Sequence, residues 1–314
     1  MSFPLPSRRA LVTGATGFIG SNLVSRLVGD GWNTTILALP GTYDQHLDRA
    51  VCVHEYDGTT ESAFTAVTES RPDVVFHLAS LFLVTHEPAQ VTRLVESNIL
   101  FGTQLLEAMS VHGTKYLVNV GSYWQHYQDR DYDPVCLYAA TKQAFEAILA
   151  FFVNARHLSA ITLKLFDTYG PKDTRPKLLR LLQTAAAEGQ TLQMSPGEQL
   201  ISLVYIDDVI DAFLNAAERL LGGAVEGSEI YAVNADQPLR LRELVETFGK
   251  IAGRTVNVEW GARPYRAREM MTPWTYGARL PQWTPKVTLE EGLRRIVAPW
   301  CDPPAPEKAA AARI

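Results

Sequence analysis

Cysteine is scarce in this chain. Cys52, Cys136 and Cys301 are the three among 314 residues, and so odd and scattered a set neither frames disulfides nor matches a metal-ligand spacing. This usage fits a reduced cytoplasm. No apolar run is long enough to cross a bilayer, and the start, MSFPLPSRRALVTG, lacks a charged-then-apolar leader, so a soluble intracellular protein without a membrane partner is expected. Basic excess is missing too: 29 Lys and Arg against 34 Asp and Glu leave a formal charge of -5, which argues against nucleic acid. Among His46, His54, His77, His86, His112, His126 and His157 no two stand two or four residues apart, so no metal site is expected. Internal repeats are absent. The one low-complexity stretch is the tail DPPAPEKAAAARI, expected to fray.

What the chain does have is an apolar content of 46%, enough for a large core with a smaller companion, and a rhythm. Short β-branched runs, RALVT, TTILAL, AVCVHEY, DVVFHLA, YLVNVG and AITLKLF, alternate with helical patterns beginning near Ile19, Thr60, Val91 and Leu137. That alternation predicts an α/β fold, a Rossmann-type doubly wound parallel sheet. Chemistry in such sheets gathers at the carboxyl ends of the strands. Residues 1–170 read mainly as a dinucleotide-binding domain and 171–300 mainly as a smaller substrate lobe that returns to the sheet near EIYAVNA, with a flexible tail at 301–314.

The first strand ends in TGATGFIG, which places Gly14, Gly17 and Gly20 three apart at a strand-to-helix turn. Glycines there allow a sharp turn and close approach to a pyrophosphate lying on the helix N-terminus, where Thr16, Phe18 and Ile19 supply the remaining backbone. The second strand ends in Ala38, Leu39 and Pro40, where an acidic residue would grip the adenosine ribose. Nothing there repels a 2'-phosphate and no arginine welcomes one, so either NADH or NADPH fits, with a lean to NADPH. Asp57 and Gly58, after the third strand, are candidates for the adenine edge; Asp57 reads equally well as a turn residue.

In LYAATKQAF, Tyr138 and Lys142 stand four apart on a predicted helix, hence on one face. Chance produces this spacing often, with an aromatic packed on a lysine stem. A lysine ammonium one turn from a phenol would also depress its pKa from about 10 and make a tuned general acid.

With TGATGFIG, FHLAS, VGSYWQHY, LYAATK and LKLFDTYGP in this order, the chain resembles the extended short-chain dehydrogenase/reductases, the NAD-dependent epimerase/dehydratase family acting on nucleotide sugars. The resemblance runs from about Arg8 to Val297. It implies catalytic roles for Ser122, Tyr138 and Lys142: Tyr138 the proton donor, Ser122 its hydrogen-bonding partner at the sugar oxygen, and Lys142 on the nicotinamide ribose. His77, Leu78 and Ala79, with Ser80, would lie towards the nicotinamide. Dehydratases of this family carry an Asp-Glu pair after the catalytic hydroxyl, and here Tyr123 and Trp124 stand there, which disfavours elimination of water.

The wording WQHY, LKLFDTYGPKDTR and MSPGEQ before LVYIDDV is most similar to the CDP-abequose and CDP-paratose synthases, C-4 ketoreductases of 4-keto-6-deoxyhexoses. An NAD(P)H-dependent reduction of a dTDP- or CDP-linked 4-keto-6-deoxyhexose is therefore the leading expectation. A 4-epimerase with tightly held NAD is the second, and a non-catalytic dinucleotide sensor the third. Asp167 replaces the usual Asn, and Ile201-Ser202 replace an Arg-Asp that the family uses near the diphosphate. Substrate contacts are expected from Tyr123, Trp124, His126, Asp167, Thr168, Lys177, Arg263 and Arg266, with Arg175 and Arg268 as further candidates. PYRAREMMTPWTYG, which lacks clean periodicity, is expected to move over the nucleotide. Helices around 91–109 and 143–155 are apolar on more than one face, and the resemblance implies a homodimer through them.

Overall fold

The computed structural model describes residues 7–43 and 50–301, without the side chains of 299–301; the expected flexible tail beyond 301 lies outside the described residues. β1 (Arg9–Thr13) leads into α1 (Phe18–Gly29), β2 (Asn33–Ala38), β3 (Cys52–Glu55), α2 (Thr60–Ser70) and β4 (Val74–His77). Next come α3 (Val91–Val95), a π-helical turn (Glu96–Leu100) and α4 (Phe101–His112), then β5 (Tyr116–Ser122), α5 (Leu137–Arg156) and β6 (Ser159–Leu165). The remainder comprises β7 (Asp167–Tyr169), α6 (Leu178–Glu188), β8 (Thr191–Met194), β9 (Leu200–Ile201), β10 (Leu203–Tyr205) and α7 (Ile206–Leu221). It ends with β11 (Ser228–Val233), β12 (Leu239–Arg240), α8 (Leu241–Ala252), β13 (Asn257–Trp260) and α9 (Leu289–Cys301).

One seven-stranded sheet, ordered β11-β6-β5-β4-β1-β2-β3, is parallel throughout. Its strands read as β-branched runs because both faces are covered. Ala10, Val12, Ile36, Phe76, Val118 and Ile161 point to the face packed by α1 and α7. Leu11, Leu37, Val75, Leu117 and Ala160 point to the other, under α2, α4 and α5. The strand order reverses between β1 and β4, whose residues Thr13 and His77 are register partners, so the crevice for a ligand opens beyond those two ends.

The later part of the chain is interleaved with this sheet. α7 and β11 return to it, while β8 with β13 and β9 with β12 form two-stranded pieces of a smaller C-terminal lobe. Asp208, on α7, ties the lobe's return: its carboxylate accepts from the Lys286 and Val287 amides at 2.9 and 3.0 Å.

The two helices expected to be covered on both sides are not fully covered within the chain, since Leu100 is 45% and Phe151 55% exposed. Among the described residues, no helix is long and apolar enough to cross a membrane.

Candidate active site

The glycine turn after β1 is packed too tightly for any side chain. Gly14 has φ +69°, and a Cβ there would lie 2.6 Å from the Ala79 amide nitrogen; one on Gly20 would lie 2.1 Å from the Gly14 carbonyl oxygen. Gly17 caps α1 in an extended conformation and offers no side chain to the helix's first N–H groups. Those of Phe18, Ile19 and Gly20 are therefore free to bind an anion. Thr16 and Gly17 are exposed and Phe18 and Ile19 half-buried, which leaves room for a pyrophosphate over the turn. The cradle fits a dinucleotide.

Across the crevice Leu78, Ala79 and Ser80 follow β4, half-buried, with the Ala79 amide donating to Thr13 Oγ1 at 3.2 Å. His77 behaves differently from the expectation. It is 1% exposed, bonded through Nδ1 to Thr13 Oγ1 at 2.9 Å and packed on Phe101 and Phe145, so it belongs to the core under the crevice. Burial, helped by the Lys142 charge, lowers its pKa to about 3 and keeps it neutral. Asp57 is exposed, and its carboxylate is engaged by the Thr59 amide and hydroxyl at 2.9 and 2.6 Å. Those bonds fasten the approach to α2; Gly58 beside Asp57, at φ +97°, has open space around it.

β5 ends at Ser122, whose hydroxyl oxygen accepts from the Trp124 amide at 3.2 Å. α5 presents Tyr138, Ala139, Thr141, Lys142 and Phe145 inward, the stripe that helical periodicity dictates. Tyr138 and Lys142 are 9% and 3% exposed. Burial is the largest influence on the Tyr138 phenol and, with Cys136, pushes its pKa up, while hydrogen bonding with the Ser122 and Ser80 hydroxyls pulls the other way. The sequence predicts a depressed phenol. The structure gives a raised one, because desolvation of the phenolate in this closed corner is the largest influence on it. Lys142 is lowered to about 8, first by burial, with Glu146 raising it and Lys164 lowering it.

The substrate side is a cavity of about 350 Å³ opening between β7, α6, residues 199–203 and residues 266–270. Tyr123, Trp124, Asp167, Thr168, Lys177 and Arg266 line it. Tyr123 stacks on Phe166 at 4.5 Å and donates to Asp167 Oδ2 at 3.1 Å. Arg266 is held by Glu269 and lies over the Trp124 ring. Lys177 makes no ion pair among the described residues; its Nζ lies 5.4 Å from the Phe82 ring centre, and burial pulls its pKa down.

His126 and Arg263 lie away from the cavity. His126 stacks on Trp274 at 3.8 Å and bonds the Arg130 carbonyl, and Arg263 is exposed, fixed by its amide to the Met194 carbonyl. Arg175 is turned to Asp173 and the Thr168 carbonyl, and Arg268 to Asp133. The aperiodic segment from Pro264 to Gly277 is tied to the 126–134 loop by that ion pair, by the Trp274 stack and by two bonds from Thr275 to Asp129.

Sequence patterns miss two residues at the centre of this site. Phe82 sets its ring edge-on to Tyr138 at 4.9 Å and beside Trp124 at 5.5 Å, forming the apolar wall next to the phenol. Asn98, on the π-helical turn, bonds Ser80, both backbone groups of Leu81 and the Thr141 hydroxyl. A lone amide inside the apolar run VESNILFG was the available signal. Such a widened turn turns one side chain out of the helical register, a common device at functional sites.

The model of the NAD dependent epimerase/dehydratase family matches residues 10–233. The UDP-glucose 4-epimerase of Mycolicibacterium smegmatis is 27% identical, covering 92% of this chain and 97% of that protein. A CDP-abequose synthase of Yersinia pseudotuberculosis is also 27% identical, over 84% and 91%. The Thermus thermophilus UDP-glucose 4-epimerase, solved with NAD, superposes with a TM-score of 0.80 at 25% identity, covering 92% of this chain and 98% of that one. The chain thus belongs to the NAD-dependent epimerase/dehydratase family and is an oxidoreductase of the extended short-chain dehydrogenase/reductase type.

Proposed function

We propose that the protein is a nucleotide-sugar 4-epimerase that holds NAD, with Tyr138 as the proton carrier, Ser122 as its partner at the sugar oxygen and Lys142 at the nicotinamide ribose. One observation carries the choice of chemistry: a phenol, with no carboxylate next to it, is the acid and base of the reacting corner. Tyr138 stands there with the Ser122 and Ser80 hydroxyls, positions 123 and 124 hold no carboxylate, and Asp167 already accepts from Tyr123. A corner so equipped can pass a proton at one oxygen and lacks the carboxylate pair that removal of water uses in the family. Bound NAD would supply the hydride acceptor and donor. Tyr138, with the Ser122 and Ser80 hydroxyls beside it, is placed to return a proton to a carbonyl oxygen as hydride reaches the carbon.

Epimerisation rather than net reduction is supported by relatives that are 4-epimerases for UDP-glucose and UDP-glucuronate and by the likeness to the NAD-bound Thermus thermophilus UDP-glucose 4-epimerase. A keto intermediate must also turn over inside the pocket, and aromatic rings, Phe82 and Trp124, form the wall beside Tyr138. NAD is favoured over NADP because Glu55, the register partner of Ala38, adds a carboxylate beside the end of β2. We take Lys177 and Arg266 as the cations for the diphosphate. Residues up to 170, with β11, form the dinucleotide-binding unit in this reading, and the rest of 171–300 the substrate lobe. A homodimer through α4 and α5 is supported by the exposed Leu100 and Phe151.

The second reading, a C-4 ketoreductase, is favoured by the CDP-abequose synthase relatives and by Ile201, which places an apolar side chain in the cavity where the family pattern has an arginine. Two measurements decide. Purified protein is denatured and its released dinucleotide quantified, and UDP-glucose and UDP-glucuronate are followed by NMR without added cofactor. Epimer formation by protein carrying NAD, lost in Tyr138→Phe, is the expected result. Stoichiometric oxidation of added NADH or NADPH by a 4-keto-6-deoxy sugar nucleotide, with no epimer formed, would establish reduction instead.

A further inference from the structure

Directly beneath the reacting corner lies a charged pair that the chemistry above does not use. Lys164, on β6, and Glu146, on α5, have side chains 1% and 8% exposed and are joined by two bonds of 2.8 Å. Gln125, fully buried, donates to Glu146 Oε1 at 3.0 Å and to Gln143 at 2.7 Å, and its own oxygen accepts the Ser122 amide at 2.9 Å. The backbone above leaves space for this cluster and no more. A Cβ on Gly121 would come within 2.6 Å of Lys164 Cδ, 2.9 Å of Glu146 Oε1 and 3.1 Å of Gln125 Oε1. Glu146 is also one helical turn from Lys142 along α5.

We propose that Lys164, Glu146 and Gln125 are a positioning unit: through Gln125 they fix the Ser122 backbone, and through their opposed charges they hold the Lys142 ammonium in its working place and charge state. The proposal rests on the roles given above to Ser122 and Lys142.

A buried ion pair is poor at stabilising a fold, because desolvation takes back what the attraction gives. Its retention under a catalytic serine calls for another use. Glu146 has a choice of two ammonium partners, Lys164 and Lys142. With Lys164 holding both its oxygens, Glu146 biases Lys142 towards the charged form without capturing it. Removing Lys164 would free a buried carboxylate to draw Lys142 away from a ribose. Removing the charge of Glu146 would leave two buried ammonium groups, Lys142 and Lys164, without their carboxylate. The charged and titratable groups that face Lys142 are Glu146 and Tyr138 from its own helix, Lys164 from β6 and His77 from β4. His77 is neutral across the working range, so Glu146 and Lys164 set the balance.

The test is the pH profile of kcat for whichever turnover the preceding assay detects, in wild type, Glu146→Gln, Lys164→Met and the double variant. Loss of activity at high pH reports deprotonation of Lys142. Glu146→Gln is expected to move that alkaline limb down and Lys164→Met to move it up, each by about one pH unit. The double variant is expected to return near the wild-type position. Opposite shifts from the two ends of one ion pair are something a purely structural role would not produce. Limbs that stay in place or move the same way would overturn the proposal. If Lys164→Met does not fold, Gln125→Leu carries the test with both charges intact: kcat is expected to drop at least about tenfold with the limb unmoved and sugar KM little changed, and an unchanged kcat would overturn it. A limb that persists in residual Lys142→Met turnover would place the fault with the role of Lys142 instead.

Discussion

Replacing Asn98 with alanine probes the link between the π-helical turn and the reacting corner. The wild-type side chain is 2% exposed and makes four hydrogen bonds, and its loss strands the Leu81 amide and carbonyl and takes one partner from each of the Ser80 and Thr141 hydroxyls. A buried peptide group left without its partner costs about 1–3 kcal/mol. Leu81 is half-buried, so water recovers part of this for its two groups, while Thr141 retains its bond to the Tyr138 carbonyl. The net loss is then on the order of 3 kcal/mol. For a chain of this size that lowers Tm by roughly 4–6 °C. Activity should fall further than stability, because Ser80 also bonds the Tyr138 phenol and the 80–82 segment carries the Phe82 wall. Calorimetry, with the turnover rate measured well below the lowered Tm, separates the two effects. A variant that melts within about 1 °C of wild type and turns over normally would refute the assignment of Asn98 as the clamp of this loop.

Gly20→Ala, whose methyl would lie 2.1 Å from the Gly14 carbonyl oxygen, should abolish dinucleotide retention, whereas Gly29→Ala, with nothing within 4 Å, should retain it and melt slightly higher; equal cofactor content in the two would contradict the cradle geometry. His77 has a folded pKa near 3, below its unfolded value of about 6.5, so the unfolded chain binds the extra proton between those limits. Its contribution is complete above pH 6.5 and is lost as pH falls towards 3, at up to about 1.4 kcal/mol per pH unit. Urea unfolding of His77→Leu should therefore show a flatter pH dependence than wild type between pH 6.5 and 4, and parallel curves would count against it. Lys177→Met should raise the KM for a nucleotide sugar by about 10- to 100-fold, the value of one charge-assisted bond, with NAD content unchanged; a normal KM would remove Lys177 from the substrate site.

The sheet could be read from the sequence because both of its faces are buried, which makes its strands short, β-branched and evenly spaced. The glycine turn was legible for a related reason, since the close approach of Gly14 to Ala79 and of Gly20 to Gly14 admits no other residue. The Tyr138 and Lys142 positions followed from helical spacing. Their electrostatics did not, because spacing carries the lysine's attraction but not the depth of burial that raises the phenol. His126 and Arg263 illustrate a second limit. An aromatic or a cation close in sequence to the site can be spent on local packing, as His126 is on Trp274. Asn98 and the Lys164–Glu146 pair depend on which residues of distant segments meet, and no local pattern encodes that.

The return of β11 to the edge of the sheet bears on how the chain is made. During synthesis β6 must wait, with one row of amide and carbonyl groups unpaired, until residues 228–233 have emerged, because only then does a strand cover that edge. A nascent chain halted at 170, or a fragment cut there, would carry an open apolar strand of the kind that recruits a stranger's strand. α7, which covers β5 and β6 on the α1 face, arrives just before β11, so the shielding of that face and the closing of that edge fall late and close together. The chain order thus makes the dinucleotide-binding layer the first part begun and one of the last parts finished.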